Sequence, residues 1–417
     1  MITPGLKAKL TFAFDTYNEN FVTRGKEPDY YSVAKSRNDE GELVHSILKY
    51  GSEFLDHSSN ANYGNQSVYL EAALSYNQTF NNRHMVDALL LYNQRSYDWG
   101  DIQPNRTQGI AGRFSYTFDR RYISEFNFGY NGSENFRPGN RYGFFPAGSL
   151  GWVVSEESFF QPIKSVVNYL KLRASVGMVG NDVSQRFLYL PDSYQYGDGG
   201  YYFGQNVGNK MPGASEVSRS NPDAKWETAV KQNYGVDATF LAERLTVSLD
   251  YFREDRSDIL SKPDYLPAIL GMSLPSVNVG ETLNRGFEVQ LKWNETLKND
   301  FRYWANFNIS FSRNKIVYKN EVDQNEPWMY ETGRRIGSRS MYKFWGFYDE
   351  TADMRYQEEF GRPIANHGIT LVPGDCVYVD LNADGEINSN DATRDIGYTR
   401  YAGIHCRIEY RIQLEEF

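Results

Sequence analysis

The sequence predicts an all-β fold: an antiparallel transmembrane β-barrel, incomplete as it stands and part of a larger barrel. Three observations predict it. Apolar and polar residues alternate strictly over stretches longer than an ordinary soluble strand. Aromatic residues make up 16% of the 417-residue chain, with 32 Tyr, 26 Phe and 7 Trp, yet hydrophobic residues reach only 40%. The alternating stretches are joined by two kinds of connection, tight turns and long polar loops. A barrel wall requires all three features: alternate residues face lipid and a polar interior, aromatic girdles mark both interfaces, and turns are short on one side only.

The alternation runs the length of the chain. Leu10, Phe12 and Phe14 share a face opposite Lys9, Thr11 and Asp15. Val68, Leu70, Ala72, Leu74 and Tyr76 oppose Glu71, Ser75 and Asn77. Phe114, Tyr116 and Phe118 oppose Arg113, Ser115, Thr117 and Asp119, and Leu170, Leu172, Ala174 and Val176 oppose Lys171, Arg173 and Ser175. Later stretches are cleaner. Leu245, Val247, Leu249 and Tyr251 alternate with Thr246, Ser248 and Asp250, and Phe287, Val289, Leu291 and Trp293 with Glu288, Gln290 and Lys292. Phe301 to Phe311 alternates with Arg302, Asn306, Asn308 and Ser310. Strand side chains point to opposite faces with period two, so each stretch is a ribbon with one apolar and one polar face. Stretches such as 66–78 and 301–312 reach the ~9–11 residues of a tilted membrane strand. Phe118–Tyr122, Ala242–Arg244 and Thr296–Asp300 read as tight turns, whereas 179–221 and 313–340 read as long loops. No short repeat period points to a propeller. Residues 1–417 therefore read as one partial barrel domain without a plug.

Composition narrows the function. A net charge of -9 argues against a nucleic-acid binder, which would show a basic patch or stripe. No apolar run approaches the ~18 residues of a spanning helix, which leaves a barrel untouched. Cys376 and Cys406 form no CxxC pair and read as incidental thiols. Met1–Gly5 lacks a charged start followed by an apolar core, so the reading expects an export signal upstream. The five histidines are scattered with no HExxH, there is no GxSxG elbow, and pairs such as Glu156-Glu157 and Glu358-Glu359 read as solvated loop charges. The chain is not read as an enzyme.

Several local motifs occur in a fixed order and together resemble the barrel of the SusC/RagA family, TonB-dependent outer-membrane transporters of Bacteroidetes. Phe145-Pro146-Ala147-Gly148-Ser149-Leu150-Gly151-Trp152, followed by Ser155-Glu156-Glu157 and Phe159, is similar to that family's FPA-SLGW–SEE-F segment. Leu170 to Gly177 with Gly180-Asn181 resembles its KLRASYG–GN strand, and Asn221-Pro222-Asp223-Ala224-Lys225-Trp226-Glu227 its NP-LKWE motif. Asn278-Val279-Gly280 with Asn284-Arg285-Gly286-Phe287-Glu288 matches NVG–N-GFE, and Asp380-Leu381-Asn382-Ala383-Asp384-Gly385 matches D-N-DG. Trp152 and Trp226 are placed near strand ends, where an amphipathic ring suits the lipid–water boundary.

The resemblance implies an outer-membrane importer of oligosaccharides or peptides, energised by the TonB complex through a plug and capped by a SusD-like surface lipoprotein. Polar strand faces (Arg173, Glu288, Gln290, Lys292, Arg302, Asn306) would line the interior. Family members carry a signal peptide, plug and final strands that are not read here, so the chain is expected to be an internal segment that cannot transport alone. The alternative readings are a truncated fragment without a function of its own and a soluble secreted β-rich glycan-binding protein. The 194–203 loop carries Tyr194, Tyr196, Tyr201 and Tyr202, whose rings either stack on a sugar or pack on one another. Asp380, Asn382, Asp384, Glu386, Asn388 and Asp391, with Gly385 at the sixth position, follow the spacing of a calcium loop. Asp391 stands where Glu is usual, so its shorter carboxylate must reach further. Calcium is the one cofactor the sequence suggests, none being required for transport; a polar turn using Asp and Asn for local backbone bonds is the other reading.

Overall fold

The computed structural model describes residues 4–33, 36–100, 103–182, 186–190, 193–196, 200–204, 209–263, 274–297 and 302–395. Eleven long strands dominate: β1 (Leu6–Gly25), β2 (Asp56–Phe80), β3 (His84–Asp98), β4 (Asn105–Phe118), β5 (Tyr122–Ser133), β6 (Tyr142–Val153), β7 (Val167–Asn181), β8 (Glu227–Phe240), β9 (Leu245–Ser261), β10 (Val277–Thr296) and β11 (Arg302–Tyr318). They form one sheet in sequence order, β1 to β11, with no crossover. Pairing from β5 to β11 is antiparallel throughout. All eleven have at least the ~9–11 residues a membrane strand needs.

Backbone contacts divide the chain into two units. One comprises Lys9–Ala72 and Asn93–Gln108. It holds stretches of β1 to β4 and two short hairpins, Tyr30–Tyr31 with Ile47–Lys49 and Ser36–Arg37 with Leu43–Val44. Within it Tyr69 donates to Glu71 at 2.6 Å, and Lys9 lies 3.5 Å from the same carboxylate. The other unit comprises Met1–Ala8, Ala73–Tyr92 and Gly109–Phe417, and it carries the functional surfaces described below.

In this larger unit the strand ends differ. At one end β2–β3, β4–β5 and β8–β9 are joined by three- or four-residue turns, and β6–β7 by residues 154–166, which hold two 3-10 turns, Val154–Glu156 and Ser158–Ile163. The tight turns are made by left-handed residues that are not glycine: Asn81-Asn82, Asp119-Arg120 and Leu241-Ala242-Glu243. Asn and Asp tolerate that conformation through local side-chain bonds. At the other end lie 134–141, the described parts of 182–226 and 262–276, and 319–395. The last contains a nine-residue helix, α1 (Ala352–Phe360), with Ala352 and Tyr356 buried; the Tyr356 ring lies 5.1 Å from that of Trp345 and its hydroxyl accepts from the Asp380 amide at 3.2 Å. The strand β11 runs to Tyr318, so 313–318, read as loop from sequence, belongs to the wall. Residues 397–413, whose sequence reads as a further strand, lie outside the described residues.

Register shows what the two faces carry. Across β8, β9, β10 and β11 one face stacks Ala238–Val247–Leu291–Phe307, then Val236–Leu249–Val289–Ile309, then Tyr234–Tyr251–Phe287–Phe311. Nothing in the described chain covers this face: Leu150 is 68% and Val176 53% exposed, and Tyr251, Phe287 and Phe311 are likewise open. A soluble sandwich buries such a face against a second sheet. Residues buried in a true core sit instead at strand ends and in 319–395, among them Phe136, Phe160, Ala224, Tyr356 and Val377. The apolar face is therefore dressed for lipid.

Candidate functional site

The opposite face is polar and follows from the same alternation. Its rows read Arg173–Gly235–Asp250–Glu288–Ser310 and Lys171–Asp237–Ser248–Gln290–Asn308, with Lys292 and Asn306 paired one step on. Arg173 organises the centre. Its Nε donates to Asp237 at 2.9 Å and its Nη2 to Asp250 at 2.6 Å, with a further bond to Ser248 at 3.3 Å. Gly235 makes this possible: a Cβ there would lie 2.5 Å from the guanidinium carbon. A concavity of about 500 Å³ lies beside it, lined on the polar face by Glu125, Asn127, Ser149, Gly151, Lys171, Arg173 and Ser175. The sequence placed Arg173, Glu288, Gln290, Lys292 and Asn306 on this face, and the register does the same. The side chain of Arg302 lies outside those described.

At the short-turn end, Glu157 is buried and accepts from Tyr122 Oη at 2.5 Å, Trp152 Nε1 at 3.1 Å and Arg121 Nη1 at 3.1 Å. The reading of Glu156-Glu157 as solvated charges is corrected here: Glu156 pairs with Lys164 at the surface, but Glu157 is clamped. The Tyr122 hydroxyl, then the Trp152 indole, hold its carboxyl below the usual range against the opposing effect of burial. Trp152 is thereby fixed at the end of the apolar face, as expected for a girdle residue. Trp226 is not a girdle residue. Its Nε1 donates to the Arg141 carbonyl at 3.0 Å, and its ring packs 5.4 Å from Phe136 and 5.3 Å from Phe145. The tryptophan after Lys225 thus closes a packed corner instead of facing headgroups.

The tyrosine loop is built from two small hairpins, Ser193–Tyr196 with Ala214–Ser218 and Tyr201–Phe203 with Asn209–Met211. Alternation puts Tyr201 and Phe203 on one side of their strand, rings edge to face with centroids 4.9 Å apart. Tyr202 points the other way, beneath the Lys210 ammonium at 5.9 Å. Tyr201 and Tyr202 are exposed but do not share a platform. The side chains of Tyr194 and Tyr196 lie outside those described.

The acidic loop is the most ordered chemical feature of 319–395. Asp380 and Asp391 are buried, 2% and 0% exposed. Asp380 accepts from the Ala383 and Gly385 amides at 2.7 and 3.0 Å. Asp391 accepts from those of Leu381 and Asn388 at 2.7 and 3.0 Å. Asp384 accepts from the Glu386 amide at 2.8 Å and from the Asn382 and Asn388 side chains at 2.8 and 3.2 Å. The Glu386 amide first, then Asn382, hold the Asp384 carboxyl below its usual range. One oxygen each from Asp380, Asp384 and Asp391 lies within 4.8 Å of the others, a spacing compatible with common ligation of an ion at 2.3–2.6 Å. The short aspartate at the last position reaches because a 3-10 turn, Ser389–Asp391, capped reciprocally by Asn388, folds it back onto the loop. The Glu386 carboxylate is not in the three-residue group; at the seventh position a loop of this kind uses the backbone carbonyl.

Residues 5–414 match the protein family described as TonB dependent receptor-like, beta-barrel. The chain belongs to that family. TonB-dependent receptor P3 of Formosa agariphila is 26% identical over 414 residues, covering 93% of this chain and 39% of its own length. TonB-dependent receptor SusC of Bacteroides thetaiotaomicron is 28% identical over 294 residues, 69% of this chain and 28% of its own. The solved RagAB peptide importer in its open-open state shares the fold, with a TM-score of 0.68 at 17% identity over 94% of this chain and 42% of that one. The chain thus spans about two fifths or less of the relatives it matches. It is a SusC/RagA-type TonB-dependent receptor barrel of the outer membrane, which rules out the secreted soluble alternative. The segment Phe145–Trp152 lies in β6, Leu170–Gly177 lies in β7, and Gly235 is the slot beneath Arg173.

Proposed function

We propose that this barrel wall belongs to an importer that carries oligosaccharides or peptides too large for porin diffusion, driven through TonB and working with a SusD-like surface lipoprotein. One observation carries the reading: a single sheet of membrane-length strands has an uncovered apolar face and a continuous polar face, in a chain of this family. The name of the RagAB peptide importer, whose fold this chain shares, supports the peptide class. On the outer side, Tyr201 with Phe203 offers a sugar one flat stacking face. The test is uptake by the native bacterium of labelled oligosaccharide and of labelled oligopeptide, with this gene or tonB deleted. Loss of one class in both deletions supports the reading and identifies the class; unchanged uptake of both classes contradicts it.

We also propose that the 380–391 loop binds calcium through Asp380, Asn382, Asp384, Asn388, Asp391 and the Glu386 carbonyl. The convergent carboxylate oxygens support this: among the described residues no Lys or Arg is ion-paired with these three carboxylates, and Arg362 donates only to the Asp380 backbone carbonyl. Burying carboxylates without a cation is unfavourable. Terbium emission sensitised by nearby aromatics, displaced by calcium, measures binding. Asp391→Asn should weaken it at least about tenfold; equal binding by both proteins contradicts the assignment.

A further inference from the structure

The outward face carries one more row beyond its aromatic belt. Two residues past Tyr234, Tyr251, Phe287 and Phe311, towards the long-loop end, the register sets Gln232, Arg253, Arg285 and Arg313 side by side on four adjacent strands. All three arginines are exposed. Lys315 and Asp255 stand one step further along the same face. Like charges directly opposite one another across neighbouring strands are unfavourable, and these strands are ~4.8 Å apart. Asp255 compensates Arg253, holding its Nε at 2.7 Å and its Nη2 at 2.9 Å. Arg285 and Arg313 have no acidic partner among the described residues. The row therefore has a deficit of negative charge.

Its height on the wall says where that charge comes from. Tyr303, hydrogen-bonded to Glu295, marks the short-turn end of the same face. Ten residues separate Tyr303 from Arg313 along β11. That is ~33 Å of strand, or ~25 Å along the membrane normal at a tilt of ~40°, the height of the apolar band of an outer-membrane barrel. The arginines thus emerge where the headgroups of the outer leaflet begin, above an apolar surface of Leu249, Val289 and Ile309 suited to acyl chains.

We propose that Arg253, Arg285 and Arg313 form a docking row for the phosphate of an outer-leaflet glycolipid of the lipid A type, whose acyl chains lie along the apolar rows below. A guanidinium fork matches phosphate oxygens in a bidentate way and is only weakly hydrated. The proposal rests on the outer-membrane placement and is independent of what the receptor carries.

The test uses the protein isolated from native outer membranes in mild detergent, with bound lipid counted by native mass spectrometry. Probes are lipid A, the same lipid after phosphatase treatment, and inorganic phosphate. Arg285→Gln with Arg313→Gln should weaken lipid A binding about thirtyfold, as two basic groups at a charged surface contribute. Arg285→Lys with Arg313→Lys should retain most of it, and Lys164→Gln at the opposite end should change nothing. Wild-type protein should bind the dephosphorylated lipid as weakly as the Gln variant binds lipid A, and equimolar inorganic phosphate should not displace lipid A. Equal lipid A binding by wild type and a folded Gln variant overturns the proposal. So does equal binding of phosphorylated and dephosphorylated lipid by the wild type, a comparison that needs no variant to fold. Displacement by equimolar inorganic phosphate, marking a free-anion site, also overturns it.

Discussion

Arg173 reaches Asp250 by lying across Gly235 on the strand between them, its Nη2 2.6 Å from the carboxylate. Three strands are thereby tied by one guanidinium, which also holds Asp237. Gly235→Ala would put a methyl group 2.5 Å from that guanidinium carbon and push the side chain away. The expected cost is about 1–3 kcal/mol in unfolding free energy in detergent. In an Arg173→Ala background the same substitution should cost much less, because the two sites are coupled. Equal costs in both backgrounds would mean that the glycine serves something other than the arginine.

The Glu157 clamp should make the short-turn end acid-sensitive. Its folded carboxyl lies below the ordinary value, so its contribution is complete above that ordinary value and is lost as pH falls through the folded one. The window is therefore at and below about pH 4.5. Glu157→Gln should be less stable than wild type at neutral pH, and the gap should narrow as pH falls to about 3. Unfolding midpoints at several pH values check this; a gap independent of pH would show that the carboxylate charge is irrelevant to the clamp.

The two faces should respond oppositely to charge. Leu249→Arg places a cation in the apolar band and should destabilise the inserted protein by about 2–4 kcal/mol. Ser248→Arg, one residue away on the polar face, should have a much smaller effect. Folding titrations into lipid vesicles measure both. Similar penalties at 248 and 249 would contradict the face assignment.

Gly385 adopts φ +84° in the acidic loop. Ala in this left-handed position costs about 1–2 kcal/mol, so Gly385→Ala should weaken calcium binding by the proposed loop about tenfold. Terbium titration reads this directly. Unaltered affinity would mean that the metal, if bound, does not use this turn.

Strand existence and face were legible in the sequence because period-two alternation is a local property, and stretches such as Leu245–Tyr251 and Phe287–Trp293 carry it without interruption. Strand limits were less so. β11 continues through Lys315 and Val317 to Tyr318 in a stretch whose polar residues resemble a loop. Partnerships were not legible, because they depend on register between distant segments. Arg173 meets carboxylates 64 and 77 residues away, and Glu157 meets a tyrosine 35 residues away. A pair of adjacent glutamates in a polar stretch gives no hint that one faces inward and the other outward. The closed acidic loop was legible in the spacing of its Asp, Asn and Gly residues, since a loop that closes on itself needs no distant partner. The row of arginines was not, although Arg285 stands within a family motif, because its neighbours come from three other strands.

The most direct test of the whole account is single-cysteine labelling in intact outer membranes, in a background with Cys406 and the exposed Cys376 replaced. Val289→Cys and Ile309→Cys should react with a lipid-confined maleimide, while Gln290→Cys and Asn308→Cys should react with a small water-soluble one. Neighbouring residues giving the same reagent preference, or the reverse preference, would contradict a wall with lipid on one side and water on the other.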